Sequence, residues 1–357
     1  MTILCLGGGT LGSVTPLLAV AEELQQRHKD LKIIWWGTAR GPEKILVTAA
    51  GLNFLAWPSG KWRRYFSWQN FGDLFVIGYS FIKAWFYLGR LKPVVILTAG
   101  SFVAVPPAWA AWFRGLPVLA HQQDVRVGLA NQLLKPVSTK FTLTLSKSAT
   151  DFSNNQAVVT GNAVRSGFNQ PPTVTEARQK LGLAVEKKVI VFLGGGTGAY
   201  FINQLVIDNL PSLTTLGQVV HLTGLGKTST SQPAMDYWPI PLTADNLFVL
   251  QAADVVVSRA GLGTLSELAA LKKPVVVVPM PGTHQEANAA LLETAQAALV
   301  FKQTDLTSSK LIDTLSQLLN DSAVSFELGK NLSALIPTNG AKRIADEVEK
   351  VINRAKN

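Results

Sequence analysis

The chain has 357 residues, of which 47% are hydrophobic and 16% charged, so it predicts a folded protein of two domains and excludes a disordered one. The formal net charge of +10 predicts an acidic partner: nucleic acid, anionic lipid or a phosphorylated ligand. The single cysteine, Cys5, excludes a disulfide framework and a cysteine zinc site, and it is typical of the reducing cytosol.

The chain begins with a predicted strand, 2–6, and a glycine loop, Gly7 to Gly12, that leads into a helix from Pro16 to Arg27. No signal peptide and no spanning helix are expected, because neither a basic-then-apolar leader nor a long uncharged apolar run occurs. The loop has the G-x-G-x-x-G spacing of a dinucleotide-binding turn, which needs an acidic residue at the end of the second strand. That strand, 32–36, ends in Gly37-Thr38, so NAD binding is disfavoured.

A second glycine loop, VFLGGGTGA from Val191 to Ala199, repeats the LCLGGGTLG of Leu4 to Gly12. Each loop follows an apolar strand and precedes a helix, and each leads its own alternating series of strands and helices. The predicted fold class is therefore α/β, with two Rossmann-like domains that face each other across a cleft. The strands expected are 2–6, 32–36, 94–98, 117–120 and 140–144 in the first domain, and 188–193, 218–222, 236–240, 254–257 and 275–278 in the second.

The domain boundary is expected within Val158 to Arg165, between the two series. The first domain would then span 1–161 and the second 165–337. A last helix, 340–356, has an apolar face, so we expect it to pack back on the first domain. The residues on that face are Ile344, Val348 and Ile352.

Aromatic and basic side chains are mixed along residues 57–90 and again at 109–114. Rings at headgroup depth and cations on lipid phosphates are typical of an interfacial membrane segment. The alternatives are an ordinary core with a solvated basic face, and base stacking on nucleic acid. Because no RNA-binding motif accompanies the clusters, a membrane surface is favoured over nucleic acid. The residues predicted to meet it are Trp62, Phe81, Trp85, Phe86, Trp109 and Trp112.

The stretch from Val255 to Asn288 predicts a strand, a glycine turn, a helix, a second strand and a second helix that begins near His284. Both helix N-termini would lie at one edge of a sheet, where free backbone N–H groups attract a diphosphate. Thr264 to Glu267 has the form of a capping box that begins a helix. Spacing alone leaves two roles open for Glu267: closing this box, or accepting both hydroxyls of a ribose.

Together these blocks resemble the MurG family, the lipid I N-acetylglucosaminyltransferases of peptidoglycan synthesis, which have the GT-B fold and form part of glycosyltransferase family 28. The most specific blocks are SRAGLGTLSE, within Asp254 to Glu267, and HQEANA, from His284 to Ala289. The glycine loops alone are a weaker match. The other matching blocks, in the family order, are Gly7–Ala21, Gly100–Pro106, His121–Asn131, Gly161–Arg165, Gly194–Asn203 and His221–Gly226.

The resemblance implies an inverting, metal-independent transfer of N-acetylglucosamine from UDP-N-acetylglucosamine to lipid I, without a cofactor. It implies that the second domain binds the donor, with Glu267 on the ribose and Thr243 at the uracil. The diphosphate would be bound by Arg165, Gly196, Thr197, Gly263 and Thr264, and the sugar hydroxyls by His284 and Gln285. A polar residue that merely caps a helix is the alternative for His284.

The resemblance also implies that the first domain binds the undecaprenyl-linked acceptor, with the lipid tail in the bilayer beside the aromatic clusters. The protein would then be peripheral, on the cytoplasmic face of the plasma membrane and its anionic lipids. The acceptor-binding residues implied are Thr10, Gly12, Ser13, Phe102, Gln122, Gln123 and Asn131.

The chain departs from the family pattern mainly on the acceptor side. Ser13 stands where the family has a histidine, Gln122 where it has a glutamate, and Asp124 where it has an asparagine. Both usual ionisable candidates for the general base are therefore missing. We expect Asp124 to supply the carboxylate, with His121 as the second candidate. Alternatively, Asp124 only hydrogen-bonds the backbone of its loop.

Three functions follow from these observations. The first is transfer of N-acetylglucosamine to lipid I. The second is transfer from a UDP-sugar to another lipid or glycan acceptor, because the departures cluster in the acceptor half. The third is a scaffold that binds UDP-sugar without turnover. Release of UDP separates the transferases from the scaffold, and acceptor identity separates the first two.

Overall fold

The structure is a computed structural model and describes residues 1–60, 68–153, 156–195, 198–224, 235–241, 243 and 246–354. The chain folds into two compact units. The first unit comprises Met1–Arg165 and the segment from Asn339 onward, and the second comprises Ser166–Thr338. Each unit is built on one parallel sheet flanked by helices, so the α/β architecture predicted from the alternating pattern is confirmed.

The first unit contains a seven-stranded sheet in the order β3-β2-β1-β4-β5-β6-β7. Its strands are β1 (Thr2–Leu6), β2 (Lys32–Gly37), β3 (Asn53–Ala56), β4 (Val95–Thr98), β5 (Val118–Gln122), β6 (Lys140–Leu143) and β7 (Ala157–Val159). Its helices are α1 (Thr15–Arg27), α2 (Glu43–Ala49), α3 (Gln69–Leu91), α4 (Val105–Phe113), α5 (Leu129–Leu134) and α13 (Gly340–Arg354).

The second unit contains a six-stranded sheet in the order β10-β9-β8-β11-β12-β13. Its strands are β8 (Val189–Leu193), β9 (Gln218–Leu222), β10 (Tyr237–Ile240), β11 (Val255–Ser258), β12 (Val275–Val277) and β13 (Leu299–Val300). Its helices are α6 (Val174–Lys180), α7 (Tyr200–Leu216), α8 (Asn246–Ala252), α9 (Leu262–Leu271), α10 (Gln285–Thr294), α11 (Ser308–Asn320) and α12 (Ser322–Leu335).

The central strands of both sheets are mostly apolar and are buried along their whole length, because helices cover both of their faces. Every residue of β4, β8 and β11 is buried. Continuous apolar runs of this kind carry a strong strand signal, and all the strands expected from them are confirmed to within one or two residues at each end. The strands that the sequence did not reveal, β3, β7 and β13, are short and lie toward the sheet edges.

The last helix, α13, packs on α1, β4 and β6 of the first unit. Ile344, Val348 and Ile352 are buried on the face that makes this contact. At its rim, the Arg27 guanidinium lies 2.7 Å from Asp346 Oδ1 and 3.2 Å from Glu349 Oε2. The chain therefore leaves the first unit after Arg165 and returns to it with its final helix.

In each sheet the strand order reverses beside a strand that precedes a glycine loop. β1 lies between β2 and β4, and β8 lies between β9 and β11. Open α/β sheets bind ligands at such a switch point, outside the carboxyl ends of the strands. The two glycine loops therefore mark the position of a candidate site in each unit.

Candidate active site

The carboxyl edge of the second sheet gathers residues that the sequence assigned to the donor. The glycine loop follows β8, while α9 and α10 begin shortly after β11 and β12, which are adjacent strands. Gly263 and Thr264 lie in the first turn of α9, where helix geometry leaves backbone N–H groups without an intrahelical partner. Gly196 and Thr197 lie outside the described residues.

Glu267 does not close a capping box. α9 begins at Leu262 with Gly261 as N-cap and no side-chain capping bond, which places Thr264 and Glu267 inside the helix. The Glu267 carboxylate is buried and accepts a hydrogen bond from Asn246 Nδ2 at 2.5 Å. The capping interpretation is therefore wrong, because the glycine turn begins the helix earlier than the pattern indicated. A carboxylate fixed by a neighbouring helix remains at this edge.

The loop from Pro279 to Thr283 leads into α10, and the Arg259 side chain binds the backbone where this loop begins. Its Nη1 donates to the carbonyls of Val278 and Pro279 at 3.0 and 3.2 Å, and its Nη2 donates to Gln303 Oε1 at 3.2 Å. Burial lowers the pKa of this guanidinium below its ordinary value. Residue spacing does not reveal this role, although Arg259 lies inside the most specific matching block.

Two residues at the start of α10 were expected at the sugar hydroxyls. His284 occupies the N-cap position, but its side chain makes no capping hydrogen bond, so the capping alternative is wrong. Gln285 Oε1 accepts from the backbone N–H of Met280 at 3.0 Å, which closes the loop in front of the helix. Asn288 Nδ2 donates to the Ala260 carbonyl at 2.9 Å and ties α10 to the turn before α9.

A buried histidine links β9 to β10 and to α7. His221 on β9 contacts Tyr237 Oη at 3.0 Å through Nδ1 and Asn203 Oδ1 at 3.1 Å through Nε2. Asn203 Nδ2 in turn donates to the Thr223 carbonyl at 2.9 Å. Burial lowers the His221 pKa to about 4, so the ring is neutral at pH 7 and has a structural role.

Two of the residues predicted to bind the UDP-sugar donor, Thr243 and Arg165, lie outside the glycine loop, α9 and α10. Thr243 precedes α8 and is half-buried. Arg165 is the last residue before the second unit begins, belongs to the first compact unit, and is half-buried.

The carboxyl edge of the first sheet brings together three loops that the sequence assigned to the acceptor. They follow β1, β4 and β5, which are consecutive neighbours in the sheet. Gln123 Nε2 donates to the Gly12 carbonyl at 2.7 Å, and Phe102 packs against Gly9. Thr10 and Gly12 are exposed. These contacts place the predicted acceptor loops side by side.

Four predicted acceptor residues are buried, namely Gln123 and the three described next. Gln122 and Asn131 are buried, and Asn131 Nδ2 donates to Gln122 Oε1 at 2.6 Å. Gln122 Nε2 donates to the carbonyls of Asp124 and Arg126 at 2.7 and 3.1 Å. Ser13 is buried too, with its Oγ on the Thr10 carbonyl at 3.3 Å. These hydrogen bonds hold the loops in place, and direct contact of these side chains with an acceptor stays a prediction.

His121 is a poor candidate for the general base. It is 1% exposed, with Nδ1 2.9 Å from Thr142 Oγ1 and Nε2 3.0 Å from Asn162 Oδ1. Burial lowers its pKa to about 4. A general base must reach the proton that it removes, and an enclosed ring with both nitrogens engaged does not. This correction leaves Asp124, half-buried in the loop after β5, as the candidate.

The aromatic region divides between core and surface. Trp57 is buried and stacks on Trp36 with ring centroids 3.7 Å apart, so the core interpretation holds for this residue. Helix α3 presents an exposed apolar stripe of Phe71, Phe75, Tyr79, Ile82 and Phe86. Of the other residues predicted at a membrane, Trp85 and Trp112 are exposed, Phe81 and Trp109 are half-buried, and Trp62 lies outside the described residues.

Over the described residues, no helix is both long and apolar enough to cross a membrane.

Two models of one protein family match the chain. Residues 3–142 match the glycosyltransferase family 28 N-terminal domain, and residues 189–348 match the family 28 C-terminal domain. The crystal structure of Acinetobacter baumannii MurG superposes on this chain with a TM-score of 0.70 and a sequence identity of 24%. The match covers 98% of this chain and 99% of that chain. This likeness confirms a GT-B fold built from two Rossmann-like domains.

Curated relatives match over nearly the whole chain. A protein of Clostridium kluyveri is 33% identical over 322 residues, which cover 88% of this chain and 90% of the relative. One from Clostridium botulinum is 31% identical over 354 residues, or 98% of each chain. Both are named UDP-N-acetylglucosamine–N-acetylmuramyl-(pentapeptide) pyrophosphoryl-undecaprenol N-acetylglucosamine transferase.

Proposed function

Because this chain belongs to glycosyltransferase family 28, we propose that it transfers N-acetylglucosamine from UDP-N-acetylglucosamine to lipid I, undecaprenyl-pyrophosphoryl-MurNAc-pentapeptide, to form lipid II for peptidoglycan synthesis. The observation that carries the proposal is the identity of 31% over 98% of both chains with a transferase of that name. The second sheet edge supports it, because α9 and α10 begin there and the buried Glu267 carboxylate is held there by Asn246.

The donor half of the reaction rests on the second unit. The Glu267 carboxylate accepts hydrogen bonds from the two ribose hydroxyls. The backbone amides of Gly263 and Thr264, in the first turn of α9, bind the diphosphate together with the Arg165 guanidinium. As UDP leaves, negative charge grows on the diphosphate, and amides already oriented by the helix stabilise that charge without reorganising. His284 and Gln285 contact the sugar hydroxyls from the closed loop in front of α10.

The acceptor half rests on the first unit. The MurNAc 4-hydroxyl attacks the anomeric carbon of N-acetylglucosamine from the face opposite UDP, so the configuration inverts. Asp124 removes the hydroxyl proton as the new bond forms. Thr10, Gly12 and Phe102 form the surface that binds the acceptor, supported by the buried side chains of Ser13, Gln122, Gln123 and Asn131.

We also propose that the protein binds the cytoplasmic surface of the plasma membrane through α3 and α4. The α3 stripe consists of five exposed apolar side chains, and exposed apolar patches mark membrane or protein interaction sites. The Arg114 guanidinium lies 4.8 Å from the centroid of the Trp85 ring. Aromatic rings at the headgroup level and cations near anionic phosphates both favour association with a membrane. The lipid tail of the acceptor would then remain in the bilayer during transfer.

A transfer assay with mass detection tests the proposal. Purified protein is incubated with several UDP-sugars and a short-chain lipid I analogue, and both UDP release and product mass are recorded. We expect a product heavier by one N-acetylhexosamine, formed only from UDP-N-acetylglucosamine. UDP-sugar binding with no product from lipid I would contradict the proposal. It would favour another acceptor, as the replacements at Ser13 and Gln122 suggest, or a scaffold.

A further inference from the structure

Glu43 is a buried carboxylate that the reaction does not use directly. It is the first residue of α2 and is fully buried, although that helix lies at the surface of the first unit. Its Oε1 accepts from the backbone N–H of Thr38 at 2.6 Å and from Thr38 Oγ1 at 2.5 Å. Its Oε2 accepts from the backbone N–H of Gly9 at 3.2 Å. No cation of the described residues forms a salt bridge with it.

Three glycines leave room for this side chain, one in the first glycine loop, one at the end of β2 and one between β2 and α2. A Cβ on Gly8 or Gly41 would overlap its oxygens, and a Cβ on Gly37 would lie 3.1 Å from Glu43 Cγ. The close approach of backbone that these glycines permit is one of the main uses of glycine in folded proteins. The first glycine loop is thus shaped around an internal anion.

Ser101 also holds the first glycine loop. Its Oγ accepts from the Gly8 N–H at 3.2 Å and donates to the Gly8 carbonyl at 2.8 Å, and the residue is 3% exposed. The N–H groups of Gly8 and Gly9 are therefore both engaged inside the domain. In a glycine loop that binds a phosphate, such N–H groups point at the ligand. Here the Ser101 hydroxyl and the Glu43 carboxylate accept the hydrogen bonds that a phosphate would otherwise accept.

We propose that Glu43 is a positioning residue for the acceptor. Its carboxylate replaces a bound anion, fixes the loop from Gly7 to Ser13, and thereby sets the position of the exposed residues Thr10 and Gly12. Gly8 and Gly9 consequently bind neither the diphosphate of the acceptor nor that of a nucleotide. The inference rests on the proposed function, because it assumes that the acceptor binds at this loop.

The variant Glu43→Gln tests the proposal, since it keeps the size of the side chain but has only one acceptor oxygen for donors that approach both. We expect the KM for the lipid I analogue to rise about tenfold, the ratio for one lost hydrogen bond to a charged group. The KM for UDP-N-acetylglucosamine should stay within twofold. Hydrogen exchange should accelerate in the peptide that covers 7–13. Thr38→Val, a milder change that removes one donor to the same carboxylate, should shift both readouts in the same direction.

The matched control is Glu176→Gln. Glu176 accepts from the backbone N–H and the hydroxyl of Thr173 at the start of α6, the same pairing in the second unit but with no glycine loop beside it. It should leave the acceptor KM and the exchange of 7–13 unchanged. A Glu43→Gln variant that loses only kcat, or that retains both the acceptor KM and the exchange protection, overturns the proposal. If the wild type does not glycosylate lipid I, the proposed function fails, and the exchange of 7–13 alone decides whether Glu43 holds the loop.

Discussion

At the scale of single residues, Asp124 has the most demanding role in the proposed reaction. Its backbone carbonyl accepts from Gln122 Nε2 at 2.7 Å and from Ser148 Oγ at 3.1 Å, so its loop is fixed. Asp124→Asn keeps the size and removes the proton acceptor, and we expect kcat to fall about 100-fold or more. The rate of lipid II formation measures this, with the exposed Asp151→Asn as control. Unchanged turnover in Asp124→Asn would rule out the assignment.

Glu267 provides the corresponding test for the donor. In Glu267→Gln the side chain still accepts from Asn246, but only one oxygen remains for two ribose hydroxyls. We expect the Kd for UDP to rise about tenfold, as for one hydrogen bond to a charged group, with the acceptor KM unchanged. Calorimetric titration with UDP measures this. Glu293→Gln, an exposed glutamate on α10, should bind UDP like the wild type. Equal affinity in all three proteins would refute the ribose role.

The two buried histidines predict how stability depends on pH. Burial lowers the pKa of His121 and of His221 from 6.5 to about 4, so only the unfolded chain takes up these protons between those values. The free energy of unfolding should therefore be highest above pH 6.5 and fall between pH 6.5 and 4. The fall is on the order of 3 kcal/mol for each histidine, since one pKa unit corresponds to about 1.4 kcal/mol. Urea unfolding at pH 7.5 and 5 measures the first part of this fall, about 2 kcal/mol for each histidine. A fall in His121→Gln as steep as in the wild type, or steeper, would contradict the assignment.

At the scale of elements, the exposed stripe of α3 predicts membrane binding. Phe75 is 82% exposed and Phe86 is 65% exposed, and burying each ring in lipid stabilises binding by about 1.5–3 kcal/mol. We expect Phe75→Ser to weaken binding to anionic vesicles about tenfold, and high salt to weaken it further by screening the basic residues. Phe326→Ser, on α12 of the second unit, is the control, because Phe326 is 64% exposed. Equal vesicle binding in both variants would argue against α3 as the membrane surface.

Two elements with the same local pattern show what spacing alone leaves undecided. Thr173 to Glu176 and Thr264 to Glu267 both read T-x-x-E, yet only the first forms a capping box. α6 begins immediately after Thr173, whereas α9 begins at Leu262, after the turn at Gly261. The pattern reports residues that are able to cap a helix. The neighbouring turn decides where the helix begins.

At the scale of the whole molecule, the final helix is an integral part of the first unit. Ile344 is 2% exposed where α13 packs on α1, and Ile344→Ala should lower the free energy of unfolding of the first unit by about 2–5 kcal/mol. Tryptophan fluorescence during urea unfolding measures this, because every tryptophan except Trp238 precedes Arg165. Leu315→Ala in α11 should leave the first unit unchanged. An unchanged fluorescence transition in Ile344→Ala would contradict the prediction.

The sequence by itself determined the architecture and the family. Apolar runs such as Val189–Leu193 form strands wherever helices cover both faces, and the repeated glycine loops identified the two switch points. These signals are local, so a single sequence carries them.

Only the tertiary structure decided which polar side chains turn inward. His121, Gln122 and Asn131 lie in a block that matches the family, but each is buried and hydrogen-bonded to its neighbours. Glu43 does not belong to any motif recognised in the sequence. Its proposed positioning role depends on a hydrogen bond from the Gly9 N–H, and Gly9 is 34 positions away in the sequence. Long-range packing sets the burial and hydrogen-bond partners of a side chain, and residue spacing along one chain does not encode them.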